Sequence, residues 1–136
     1  MNNMDFITTN SLEPTGPASE LFIAGASVFE ITPFLPPLQR VTILGINLPD
    51  QDTFGPYQYY VATIAPPDDP DNVIAAMFLE PTPDMQLWAA TTFLEFSGTL
   101  PPMNVYVRPQ LNDFRIGPVI LQGPVLAEEL DLPENT

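Results

Sequence analysis

Short apolar runs, separated by prolines and acidic residues, make up most of this chain after residue 20. Most of the runs are shorter than a dozen residues, and turn-forming residues lie between them. They are Leu21–Ile31, Arg40–Ile46, Tyr57–Ala65, Val73–Glu80, Gln86–Phe96, Met103–Arg108 and Asp113–Gln122. This spacing predicts an all-β fold, namely a single β-sandwich or jelly-roll-like domain of about seven or eight short strands.

Alternation of apolar and polar positions is clearest in Met103–Arg108, where every second residue from Met103 is apolar and Arg108 lies on the polar side. The run Asp113–Gln122 starts in the same way, with Arg115 on its polar side. Such alternation predicts strands with one buried face. Gln86–Phe96 is apolar on both faces, which predicts either a strand deep between layers or a face that a partner covers.

Two of the runs are also compatible with a short helix. Asp71 or Asn72 could cap a helix that begins at Val73, and Asp84 could cap one that begins at Met85. The two threonines in the second half of Gln86–Phe96 favour a strand there.

Both ends of the chain differ from its apolar middle. Residues 1–20 are polar, contain Pro14, Gly16 and Pro17, and show no periodicity, which predicts an extended N-terminal arm. Residues 21–124 form the predicted β-sandwich domain. Residues 125–136 are acidic and predict a solvated or docking tail, in which Ala127–Leu130 could form one helical turn.

Cations are almost missing from this sequence. Its 136 residues include 17 Asp and Glu, three arginines, and no lysine, histidine or cysteine, so the formal net charge is −14. Phosphate binding needs clustered lysine or arginine, which argues against nucleic acid or an anionic membrane as a partner. We therefore expect a protein partner with a more basic surface. The N-terminus also lacks the basic segment of a secretory signal peptide, which predicts synthesis in the cytoplasm without export.

Proline is the second unusual feature, with 18 residues in the chain. Proteins protect exposed sheet edges with lysine, proline or bulges, and this chain has no lysine to use. We interpret the prolines as protection of sheet edges.

The composition leaves few groups for catalysis. Without histidine, cysteine or lysine, the usual general bases and activated nucleophiles are absent. Acid–base chemistry could come only from carboxylates, tyrosines or the arginines, and Glu80 with Glu95 is the candidate carboxylate pair. We therefore expect a protein that is not an enzyme.

A cluster of acidic side chains offers a possible metal site. Asp68, Asp69 and Asp71 lie close together in the sequence, and calcium binds such oxygen ligands. The same residues are typical of ordinary turns, and the spacing does not match an EF-hand. Calcium is the only cofactor that the sequence suggests.

Aromatic and arginine residues are the candidates for a protein interface. Tyr57 and Tyr59 fall on one face of a predicted strand and Tyr60 on the other. The full set of interface candidates is Phe54, Tyr57, Tyr59, Tyr60, Trp88, Arg108 and Arg115. Each of the last two arginines could pair with a carboxylate on a neighbouring strand or subunit.

These features together predict a structural or assembly protein. The leading hypothesis is a decoration (cement) subunit of a viral capsid, located in the virion, which forms homo-oligomers and docks on a larger shell. The alternative is a carbohydrate- or calcium-binding β-sandwich module.

Overall fold

Antiparallel β-strands dominate the computed structural model, which describes residues 6–32, 37–112 and 115–132. No α-helix occurs in these ranges, and two short 3-10 turns lie at Gly16–Ala18 and Gln51–Phe54. The strands are β1 (Phe6–Pro14), β2 (Ala24–Ile31), β3 (Gln39–Ile46), β4 (Tyr59–Ala65), β5 (Ala75–Pro81), β6 (Leu87–Leu94), β7 (Thr99–Leu100), β8 (Met103–Asn112), β9 (Arg115–Ile116), β10 (Leu121–Leu126) and β11 (Leu130–Asp131).

Eight of the strands close into a barrel. Their order around the wall is β1-β2-β3-β6-β5-β4-β8-β10, and β10 pairs with β1 to complete the circuit. β9 extends the edge of β8 beyond β10, and β7 and β11 form a separate small pair. The all-β prediction is confirmed, but the predicted sandwich or jelly roll is wrong. Strands with one buried face fit both a sandwich and a barrel. The barrel differs by one long-range pairing, in which β1 near the N-terminus pairs with β10 near the C-terminus.

One strand of the closing pair, β1, lies in the segment 1–20 that the sequence predicted as an extended arm. From Phe6 to Pro14 the chain runs antiparallel to β2 along seven residue pairs, and Glu13 and Pro14 pair with β10. Leu12 and Ala18 are buried in the core. The prediction of an arm outside the domain is therefore corrected for the described residues from Phe6 onward. This strand was missed because two of its inward positions, Thr8 and Asn10, are polar and one outward position, Ile7, is apolar, so no alternation marks it in the sequence.

The predicted acidic tail is likewise partly integrated into the barrel. Val125 and Leu126 are buried at the end of β10, and Leu130 pairs with Leu100 between β11 and β7. The alternative of one helical turn over Ala127–Leu130 is wrong, because these residues form a bend that leads into β11. Residues 133–136 lie outside the described residues.

Both helix alternatives are replaced by strands. β5 pairs with β4 from Ala75 onward, so no helix begins at Val73. Asp84 instead organises the turn between β5 and β6, where its carboxylate accepts hydrogen bonds from the Thr82 hydroxyl at 2.6 Å and the Gln86 backbone N–H at 3.1 Å. These two hydrogen bonds hold the pKa of Asp84 below its usual value.

Side chains fill the barrel interior. Inward positions alternate along each strand, as expected for a small barrel. The largest fully buried side chains are Tyr60, Phe29, Ile31, Ile43, Ile64, Leu100, Met103, Ile120, Leu121, Val41, Val105 and Val107. Because closure pairs the strands all around the wall, barrel formation protects most strand edges, a role that we assigned to proline from the sequence.

None of the helical segments in the described part of the chain has the length and hydrophobicity that crossing a membrane would demand.

Candidate interaction surfaces

The central outward positions of β1, β2, β3 and β6 form a sheet patch without net charge, which we call the neutral face. Two of its outward side chains are charged, and they neutralise each other: Arg40 binds both carboxylate oxygens of Glu30, at 2.7 and 2.9 Å. Glu13 and Glu80 border the face at strand ends. The neutral face comprises Ile7, Thr9, Ser11, Ala26, Val28, Glu30, Arg40, Thr42, Leu44, Ala89, Thr91 and Phe93.

Strand register places these residues in rows across the four strands. The central row joins Thr9, Val28, Thr42 and Thr91, and the hydroxyls of Thr42 and Thr91 lie 3.1 Å apart. A row of small neutral side chains on a regular sheet makes a smooth surface on which another sheet or loop can pack closely.

Exposed apolar side chains lie at both ends of the neutral face. Ile7 is 64% exposed and Phe93 is 54% exposed at one end. At the other end Phe22 is 94% exposed, and its carbonyl oxygen accepts a hydrogen bond from the Asn47 side chain beside the end of β3. Exposed apolar groups of this size at the margins of a neutral sheet are typical of a surface that contacts another protein.

A second surface lies on the outside of β4, β5, β8 and β9. Phe78, Val61 and Arg108 form one cross-strand row, and the ring of Tyr59 contacts Phe78 edge to face with a centroid distance of 5.4 Å. Phe78 is 60% exposed. Next to this row is a cleft of about 230 Å³ lined by Val61, Thr63, Pro70, Asp71, Val73, Arg108, Gln110 and Ile116, which we call the Arg108 cleft.

The interface candidates from the sequence separate into two groups. Tyr59 is outward-facing and Arg108 lines the cleft, so these two share the second surface. Arg115 lies on β9, is exposed, and is not among the cleft-lining residues. Phe54 is partly buried against the core, and Tyr57 is partly buried beside Gly55 and Gly117.

Trp88 and Tyr60 are core residues, which corrects their placement among the interface candidates. Trp88 is 4% exposed, and its ring contacts the fully buried ring of Tyr60 edge to face at 5.0 Å. Their strands are apolar on both faces, so the sequence alone does not tell that these two side chains point inward.

Tyr60 has a structural role at the end of the barrel near Pro49. Its hydroxyl donates a 2.6 Å hydrogen bond to the Pro49 carbonyl oxygen. Burial, followed by the charges of Asp50 and Asp52, raises the pKa of Tyr60 far above its usual value. The phenol therefore stays protonated and is unsuited to act as a base near neutral pH.

We expect Tyr60→Phe to lower the free energy of unfolding by about 1–2 kcal/mol, because the Pro49 carbonyl loses its partner. The pKa of Tyr60 is higher in the folded than in the unfolded chain, so the stabilisation is complete below pH 10. Above pH 10 the unfolded phenol ionises first, and this residue lowers the wild-type stability by up to about 1.4 kcal/mol per pH unit. In Tyr60→Phe, the free energy of unfolding should therefore fall less steeply with pH above pH 10 than in the wild type.

Urea unfolding of both proteins between pH 7 and 11 measures these effects. The control is Tyr59→Phe, which removes an exposed hydroxyl and should change the free energy of unfolding by less than about 0.5 kcal/mol at pH 7. Equal losses in the two variants at pH 7 would contradict the buried role of Tyr60.

The predicted metal ligands do not converge. Asp68, Asp69 and Asp71 are exposed in the β4–β5 connection. Among the residues that the structure describes, no three acidic side chains come together in a group that could hold a metal ion. Their positions give the calcium prediction no support, and the turn interpretation accounts for them: the Asn72 backbone N–H donates to the Asp69 carbonyl oxygen.

Sequence reasoning missed most of the neutral face. Seven of its twelve residues are Thr, Ser, Ala or Val, which are unremarkable one by one, and the twelve come from four strands. Exposed apolar residues such as Phe22, Phe78 and Phe93 belong to runs that we interpreted as strands, or in two cases as a strand or a short helix, and none of the three was named as an interface candidate. The one signal available was the two-sided apolar pattern of Gln86–Phe96, which contains Phe93.

Comparison with known proteins places nearly the whole chain in one family. No curated protein and no solved structure shows a significant match. A family model described as "SPbeta prophage-derived uncharacterized protein YoqH" matches residues 4–129. The match includes all eight barrel strands, both surfaces and the β4–β5 connection. The chain therefore belongs to the YoqH family of prophage-derived proteins.

Proposed function

We propose that this protein is a non-enzymatic assembly protein of a phage particle, which associates with further copies of itself and decorates a larger shell. The family description as prophage-derived supports a role in phage biology. The sequence lacks histidine, cysteine and lysine, and this supports a binding role over a catalytic one.

The neutral face carries the proposal. Copies of a chain with a net charge of −14 repel one another, so self-association needs a surface from which unpaired carboxylates are excluded. The neutral face meets this condition within its margins, because Glu30 is neutralised by Arg40 and the unpaired carboxylates Glu13 and Glu80 lie at its border. The acidic residues in the connections, such as Asp50, Asp52 and Asp68, then remain free to face a more basic shell.

Self-association through the neutral face should strengthen as salt is added, because salt screens repulsion between the acidic surfaces and leaves apolar contact intact. Sedimentation velocity at about 50 mM and about 500 mM NaCl measures this. Dissociation at the higher salt concentration would exclude neutral, apolar contact as the driving force.

A single charge in the centre of the face tests its role directly. Thr42→Glu places a carboxylate in the central row, and we expect the dissociation constant of the oligomer to rise about tenfold or more, because like charges would face each other across the contact. The matched control is Gln86→Glu, which adds the same charge at an exposed position in the β5–β6 turn. Circular dichroism checks that both variants fold.

Two results would overturn the proposal. Wild-type protein that remains monomeric at both salt concentrations would exclude self-association. Equal weakening by Thr42→Glu and Gln86→Glu would show that the added charge, and not the neutral face, controls association. Mass spectrometry of purified particles of the phage that encodes the protein tests decoration, since a decorating subunit must be present in many copies.

A further inference from the structure

We infer that the Arg108 cleft is a binding site for a carboxylate side chain that lies next to an apolar residue in an extended segment of a partner protein. The site is on a different surface from the neutral face, and its existence does not depend on self-association.

The first observation is the state of Arg108. Its Nε atom is buried and has no hydrogen-bond partner among the described residues. The single ion pair within residues 6–32, 37–112 and 115–132 joins Arg40 to Glu30, so Arg108 is not neutralised there. An unpaired guanidinium that is partly removed from water is unfavourable, and a partner's carboxylate in the cleft would offset part of this cost through its opposite charge.

The second observation is the shape and chemistry of the cleft around this cation. Val61 lies directly opposite Arg108 in the strand register and is buried. Val73 in the β4–β5 connection and Ile116 on β9 also line the cleft, and each is about half exposed. A cleft of about 230 Å³ with one guanidinium and these apolar side chains suits a short acidic and apolar segment better than a free inorganic anion.

Asp71 is the group that opposes this inference, because it lines the same cleft. It is exposed and forms no ion pair with Arg108. Its charge is therefore screened by water and salt. Asp71 weakens the binding of an acidic ligand by repulsion, but it leaves the guanidinium of Arg108 available to that ligand. Removing its charge should strengthen binding of an acidic ligand.

A pair of matched peptides tests the site. The probe is acetyl-leucyl-glutamyl-leucyl amide, and its control has glutamine in place of glutamate. We expect the acidic peptide to shift the NMR signals of the Arg108 Nε–H and of the methyl groups of Val61, Val73 and Ile116 in a saturable manner. The glutamine peptide should bind at least tenfold more weakly, because it cannot form the charged bidentate contact.

Variants connect binding to the cation in the cleft. Arg108→Gln should remove the preference for the acidic peptide, and Arg108→Lys should retain part of it, since a lysine keeps the charge without the planar fork. Asp71→Asn should bind the acidic peptide more tightly. Arg115→Gln is the matched control: it removes an exposed arginine outside the lining and should leave the affinity within about twofold.

Four outcomes would overturn all or part of the inference. Equal affinity for the two peptides would show that the carboxylate is not recognised. If Arg108→Gln and Arg115→Gln weakened binding of the acidic peptide equally, the peptide would be attracted by positive charge in general and not by the cleft. Acetate binding with the affinity of the peptide would show that the apolar side chains of the cleft contribute nothing. If concentrating the protein without peptide moves the same signals, the occupant is a second copy and not a separate partner, which overturns that part of the inference.

Discussion

Replacing Phe29 by alanine is expected to lower the free energy of unfolding by about 3–5 kcal/mol, because it removes a large side chain from a packed interior. Phe29 is 0% exposed, and its ring contacts Phe6 edge to face with a centroid distance of 6.3 Å. A loss of this size is a large part of the total stability of a domain.

Urea unfolding followed by the fluorescence of Trp88 measures this loss, since the chain has a single tryptophan. Phe78→Ala is the matched control, because the same side chain is removed from the outside of β5. We expect that control to lower the free energy of unfolding by less than about 1 kcal/mol. Similar losses for Phe29→Ala and Phe78→Ala would contradict the assignment of inner and outer faces.

Gly123→Ala is expected to lower the free energy of unfolding by about 2–3 kcal/mol, because it disrupts the closure of the barrel. A Cβ at Gly123 would lie 2.5 Å from the carbonyl oxygen of Ser11 and 2.9 Å from a methyl carbon of Leu12. Two residue pairs join β10 to β1, and the Ser27 hydroxyl adds a 2.7 Å hydrogen bond to the Pro124 carbonyl oxygen. Because so few contacts join β10 to β1, a displacement of β10 would break a large part of the contacts that close the barrel.

The control for this substitution is Gly98→Ala. Gly98 has a φ of +80°, and a Cβ there would meet nothing within 4 Å. This control measures the strain of a left-handed backbone without steric overlap, about 1 kcal/mol. Hydrogen exchange locates the damage: Gly123→Ala should increase exchange in β1 and β10 more than in β3. An open sandwich, in which β1 and β10 do not meet, predicts no large effect of Gly123→Ala.

Most of the strands were predictable because apolar runs of strand length lie between turn residues, and burial alternates regularly along β2 and β3. Six of the eight barrel strands coincide with apolar runs that the sequence shows, with boundaries that differ by a few residues. β10 was only partly covered by such a run, and β1 was missed. β1 is rich in Thr, Asn and Ser, and it is recognisable as a strand only through its pairs with β2 and β10.

The candidate site was predictable in part for a similar reason. Arg108 follows three alternating apolar residues, so its outward direction could be predicted. Trp88 and Tyr60 were wrongly placed, because a strand that is apolar on both faces has no unique inside. Ile116 is half exposed in the Arg108 cleft, a position that its apolar character does not suggest.

The sequence by itself determined the class of fold, the strand segments and the electrostatic character of the protein. Proline spacing excludes long helices, and three arginines cannot balance 17 carboxylates. Tertiary structure alone decided that the wall closes into a barrel, that Glu30 is neutralised by Arg40, and that Arg108 remains unpaired beside Val61. These features depend on pairings between residues far apart in the chain, and local preferences carry no information about which distant strand becomes the neighbour.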